Sequence, residues 1–169
     1  KSDVVVPNRY SYIDIGERDQ ENPLPWDKID SASFELWNSY FDYDATIKKS
    51  KERMAISEQL NLIDENAKWI KKIREKDMYS LNYDAYKANL EQNEEEAKRF
   101  EKLSGYQTSL AFNSLPYELK LMAQDSTLKI KRERWHESLS KDVYIEEALN
   151  VLNDLKLTYG DKTKVAAST

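Results

Sequence analysis

The chain has 169 residues, 40% of them hydrophobic and 34% charged, with a net charge of −5 and no cysteine. That balance suits one folded domain with a large charged surface rather than a disordered tail. It excludes disulfides and thiol catalysis, and no stretch approaches the roughly 18 apolar residues of a membrane span. A cysteine-free chain fits an envelope protein and a cytosolic one equally. Only three glycines and four prolines are present, so turns are few and elements long; a mainly α fold is expected, not a many-stranded sandwich. The chain opens Lys1-Ser2-Asp3 without a signal peptide, as a fragment or a processed protein does.

Residues 1–43 read as an extended arm. Val4-Val5-Val6-Pro7 has the composition of a short β-strand ended by proline. One such strand is unstable alone, and no second strand is legible, so its sheet is expected upstream, outside these residues. Asn22-Pro23-Leu24-Pro25-Trp26-Asp27 fixes backbone dihedrals, removes two amide donors and presents an indole, which suits a segment lying along another surface. The arm holds nine acidic against four basic residues, which is the entire net charge, and this argues against nucleic acid as its partner. It also holds eight of the 19 aromatics, among them Trp26, Trp37 and Tyr43. Such a strip serves as an interface anchor or packs onto the helices or onto a neighbouring domain.

Residues 44–160 read as a mostly antiparallel helical bundle. Asp44 is expected to cap a helix to about Met54, with Lys48, Lys49, Lys51, Glu52 and Arg53 largely exposed. Ser57 caps the next, to about Lys76, in which Leu60, Ile63, Ala67, Ile70 and Ile73 step by three or four. Ser80 or Asn82 starts a third, to about Leu103, which Ser104-Gly105 stops. Tyr106 to Ser114 reads as a loop on the bundle, and Pro116 suits the first turn of a short helix to Gln124. Ser126 and Asp142 are expected to cap the last two helices, the final one ending at Tyr159-Gly160 before a flexible tail, 161–169.

No catalytic constellation is legible. His136 is the single histidine, which excludes a histidine-rich metal site; a surface or half-buried helix histidine is a plainer reading of it than a catalytic base. The basic stretch Lys129 to Glu137 is interrupted by Glu133 and Glu137 at helical spacing, the pattern of a salt-bridged face rather than a nucleic-acid patch. Glu94-Glu95-Glu96 and Asp64-Glu65 diverge around a helix instead of converging, so they read as solvated. Serine and lysine are both abundant, but neither a nucleophile elbow nor a glycine-rich oxyanion or phosphate loop marks a pair of them.

Taken in order, Val4-Val5-Val6-Pro7, Tyr12-Ile13-Asp14-Ile15-Gly16-Glu17, Asn22-Pro23-Leu24-Pro25-Trp26-Asp27, Ser80-Leu81-Asn82 and Asp142-Val143-Tyr144-Ile145-Glu146-Glu147-Ala148 resemble the C-terminal region of bacterial tail-specific (carboxy-terminal processing) proteases. Pro23 stands where that family usually has alanine, and the long basic segment 126–141 departs from its pattern. The resemblance implies a parent serine endopeptidase of the periplasm or cell envelope, with a Ser–Lys dyad and a PDZ domain. It implies that the catalytic residues lie upstream, so that this chain carries no catalytic, cofactor or metal residue. Its role would be to wall the protease core and shape substrate access. Val4, Val5, Val6, Trp26 and Trp37 would dock on that core. The partners would be the upstream domains of the same chain and the protein substrates of the parent, with neither nucleic acid nor membrane insertion. The alternative from another class is a stand-alone helical adaptor whose aromatic arm binds a partner protein.

Overall fold

The computed structural model describes residues 2–14, 16–25, 27–35 and 41–166, with side-chain surroundings through Leu157. Trp26 and Trp37 lie outside the described residues. Among the described residues six α-helices follow the arm: α1 Tyr43–Ile56, α2 Glu58–Arg74, α3 Tyr83–Lys98, α4 Pro116–Gln124, α5 Ser126–Leu139 and α6 Val143–Ala166. A 3-10 segment, Arg99–Gly105, prolongs α3, and a single 3-10 turn, Glu17–Asp19, interrupts the arm.

Local chemistry sets most helix ends. The Ser57 N–H donates to Met54 O at 3.3 Å as α1 ends, and the Ser57 hydroxyl accepts from Leu60 N at 3.3 Å as α2 begins. One residue therefore turns the chain from α1 into α2. Asn82 caps α3 through Ala85 N at 3.0 Å, and Asp142 caps α6 through Tyr144 N at 2.8 Å and Ile145 N at 3.2 Å. Pro116 opens α4, where its missing N–H costs nothing.

Two caps differ from expectation. Asp42, not Asp44, accepts from Ala45 N at 3.0 Å, and Asp125, not Ser126, accepts from Thr127 N and Leu128 N at 2.8 and 3.1 Å. In both cases a carboxylate slightly earlier in the chain reaches the orphan amides and meets the positive end of the helix dipole. The final helix runs through Gly160 to Ala166 rather than ending at Gly160. No described glycine has a positive φ, so Gly160 does not form a left-handed stop, and a helical glycine costs only about 1 kcal/mol relative to alanine.

The expected β-strand at Val4–Val6 is not formed; among the described residues there is no strand at all. The valines find side-chain neighbours instead of a backbone partner. Val4 and Val6 border a groove whose other walls are α1 (Tyr43, Ile47) and α6 (Val151, Leu152, Leu155), while Val5 borders a second groove between α1 and α2. The backbone is extended enough to alternate, but the surface it meets is helical.

The helices pack in pairs. α1 meets α6 and α2, α2 and α3 meet the 3-10 segment, and α4 pairs with α5 as a hairpin. Among the described residues the buried apolar side chains are Leu60, Ala67, Phe100 and Val143. Three of the four lie in α2 and the 3-10 segment, where Trp69 and Phe100 rings sit 5.6 Å apart. The connector after Gly105 lies on the turn between α5 and α6: Thr108, itself buried, donates its N–H to Ser140 O at 2.8 Å.

Candidate functional site

The most organised cluster lies between α1 and α6. Arg53 lies one turn from both Lys49 (i, i+4) and Ser50 (i, i+3) on α1, so it neighbours each of them on the helix surface. Glu147 and Asp154 are seven apart on α6 and so share a face two turns long. Arg53 bridges them: its Nη2 lies 2.8 Å and its Nε 2.9 Å from the Glu147 carboxylate, and its Nη1 lies 2.7 Å from Asp154. The Ser50 hydroxyl donates to Glu147 at 2.7 Å, and Lys49 Nζ lies 3.3 Å from Asp154. Ser50 is 1% exposed and both carboxylates 8%.

Electrostatics follow from that geometry. Burial opposes the charged form of Glu147, but hydrogen bonds from Arg53 and Ser50 outweigh it and hold the group below the usual glutamate range. Asp154 is also held low, burial being outweighed by Arg53 and Lys49. Arg53 is pushed further above its already high value, first by its hydrogen bond to Glu147. The cluster is a buried, mutually satisfied ion network, which is structural chemistry.

The arm is tied to the same body at two points. The Tyr144 hydroxyl on α6 donates to Pro7 O at 3.0 Å, and the Tyr12 hydroxyl donates to Asp64 on α2 at 2.6 Å. Lys68 pairs with Asp64 at 2.6 Å and also lies over the Tyr12 ring. The hydrogen bond to Asp64 raises the Tyr12 phenol and helps hold Asp64 low. The carboxylate runs are thus occupied: Glu65 pairs with Arg99 at 3.4 Å, and Glu96 accepts from the Trp69 indole at 3.1 Å. His136 is half-buried on α5 with its ring 5.8 Å from that of Trp135.

Among the sequence-predicted docking residues, Val4 and Val6 are partly covered by the groove, while Val5 is 69% exposed. The arrangement does not bring Trp26 or Trp37 into view, as both lie outside the described residues. Sequence reasoning missed the α1–α6 network and placed Arg53 on an exposed face. The signal was present: Glu147 and Asp154 interrupt the apolar stripe of α6 two turns apart, and Lys49 and Arg53 stand one turn apart on α1.

A second feature is what the molecule leaves uncovered. It exposes 14402 Å², whereas a compact monomer of 19.9 kDa exposes about 8,700 Å². The α4–α5 hairpin shows this most clearly. Tyr117, Leu119, Leu121, Ile130 and Trp135 are each close to half exposed or more, although Arg132 is held by Glu118 and lies over the Trp135 ring. Tyr117 and Leu121 stand one turn apart on α4 and so share a face.

These features define an open helical module, closed at one joint by charge and broadly uncovered elsewhere. The chain belongs to the family described as C-terminal domain of tail specific protease (DUF3340), whose profile matches residues 10–157. It is therefore one domain of a protease. No curated protein and no solved structure gives a significant match.

Proposed function

We propose that this domain is the non-catalytic helical wall of a serine endopeptidase whose Ser–Lys dyad and PDZ domain lie elsewhere in the same polypeptide, in a bacterial periplasm or cell envelope. It packs against the protease core, stabilises it and narrows the route by which substrate chain ends reach the active site. The arm, residues 1–43, links to that core, and 44–160 form the wall. Val5 with its open face, together with Trp26 and Trp37, contributes to docking, Val4 and Val6 being shared with the groove.

The observation that carries this reading is the exposed area: a chain of this size with four described apolar side chains buried leaves its remaining apolar surface to be covered by something else. The protease to which the domain belongs is the nearest such surface, being covalently attached and hence at high effective concentration. No described helix is long and apolar enough to cross a membrane.

Deleting residues 44–169 from the full-length protease tests the proposal. The expected result is lower thermal stability of the remaining core together with altered selection between folded and unfolded substrates bearing the same C-terminal tail. Unchanged stability and unchanged products on both substrates would overturn it. An adaptor role predicts instead that cleavage of isolated peptides survives deletion while one particular protein substrate is lost.

A further inference from the structure

The α1–α6 joint is held by charge where the joint between α2 and the 3-10 segment is held by apolar packing. Ala67 and Phe100 are buried at the latter, with Trp69 against Phe100; at the former, Ser50, Glu147 and Asp154 occupy buried positions, beside an open groove of about 690 Å³ that Val4 and Val6 help to wall. The same face of α6 that carries Glu147 also holds the arm, through Tyr144 and Pro7.

We propose that the α1–α6 joint is an acid-releasable clamp: neutralising Glu147 and Asp154 frees α6 from α1 and unseats the arm at Val4–Pro7, while the joint between α2 and the 3-10 segment stays closed. Ionised, each carboxylate accepts only, and the network supplies donors: Arg53, Lys49 and the Ser50 hydroxyl from α1. Protonation removes both negative charges and leaves the Arg53 guanidinium, partly buried, without counter-charge; the apolar side chains that α1 and α6 bring to the groove, Ile47, Val151 and Leu155, are only half-buried around open space, and buried Val143 sits at the far end of the joint beside Leu60. The other titratable groups near the joint do not substitute. Asp3 of the arm, Tyr43 of α1 and Tyr144 of α6 border the groove, and Glu146 borders a small cleft beside Arg53 and Asn150. Glu146 is engaged by the Tyr106 hydroxyl, and the tyrosines remain neutral in acid.

The direction in pH is fixed by the carboxylates lying below their unfolded values. Their contribution is complete above about pH 4.5, the ordinary glutamate value, and is lost as pH falls through the lower folded values. Where α2 meets the 3-10 segment the buried contacts are apolar; the carboxylates there, Glu65 on Arg99 and Glu96 on Trp69 and Lys72, lie at the surface, so protonating them leaves no buried cation unpaired.

The absence of cysteine allows clean site-directed labelling. Spin-label pairs are placed at Lys48→Cys with Asn153→Cys, reporting on α1 and α6, and at Glu58→Cys with Lys102→Cys, reporting on α2 and the 3-10 segment. These four residues are exposed. Between pH 7 and pH 3 the first pair is expected to lose its narrow distance while the second keeps its own, with helical circular dichroism retained. Glu147→Gln/Asp154→Asn is expected to give the broad α1–α6 distance already at pH 7. An α1–α6 distance unchanged at pH 3 would overturn the clamp. So would both pairs separating with one midpoint, since that is global acid unfolding. If the double variant does not fold, the two wild-type label pairs still decide the matter.

Discussion

The two helix joints next to each other in this molecule are built from opposite chemistry. Where α2 meets the 3-10 segment, Ala67 and Phe100 are buried and Trp69 faces Phe100, so the contact depends on area and shape. Where α1 meets α6, the buried groups are Ser50, Glu147 and Asp154 around Arg53, so the contact depends on charge balance. The difference teaches that a domain with little shared core can still fix helix geometry, at the expense of making one joint sensitive to conditions the other ignores. A buried ion network specifies a unique alignment of two helices more readily than it adds net stability.

Breaking the comparison at either joint gives the largest effects. Arg53→Met leaves buried Glu147 without a cation and Asp154 with Lys49 alone, and is expected to destabilise the chain by about 3 kcal/mol, measured by urea unfolding at pH 7. The same variant should flatten the acid limb of stability, because carboxylates without their partner no longer gain from being ionised. From the apolar side, Phe100→Ala is expected to cost about 3 kcal/mol, with the acid limb kept as in the wild type. A Phe100→Ala loss that varies with pH, or an Arg53→Met loss that does not, would erase the distinction between the joints.

Smaller effects sharpen it. Tyr12→Phe and Tyr144→Phe each remove one tie between arm and body and should cost about 1 kcal/mol, read locally as faster hydrogen exchange around Ser11–Ile13 rather than as a shift of the global midpoint. Tyr106, pushed up to about 12 first by burial and then by Glu146, should ionise above the exposed tyrosines in an ultraviolet titration. Removing the exposed Lys87–Glu91 pair should move stability by no more than about 0.5 kcal/mol.

The elements governed by local chemistry were legible in the sequence. Ser57, Asn82 and Asp142 each mark a helix start, because their cap bonds reach only two or three residues along the chain, and Pro116 marks another through its own fixed φ. The α2 stripe was legible for the same reason: its period belongs to one helix. What was not legible depended on a second segment. Val4–Val6 has strand composition, but the surface it meets is the α1–α6 groove, about 140 positions away in part. Arg53 sits in a run of charges that looks solvated until α6 presents Glu147 and Asp154, 94 and 101 residues later. The readings for Trp26 and Trp37 rest on sequence alone, as neither lies among the described residues.

Hydroxyl-radical footprinting of the full-length protease beside this isolated chain tests the account most directly. Trp135, Tyr117 and Leu119 of the α4–α5 hairpin are exposed here, and the account predicts that their labelling falls several-fold in the full-length protein without substrate. Equal labelling of these side chains in both would contradict the claim that this domain is built to be covered by the protease it belongs to.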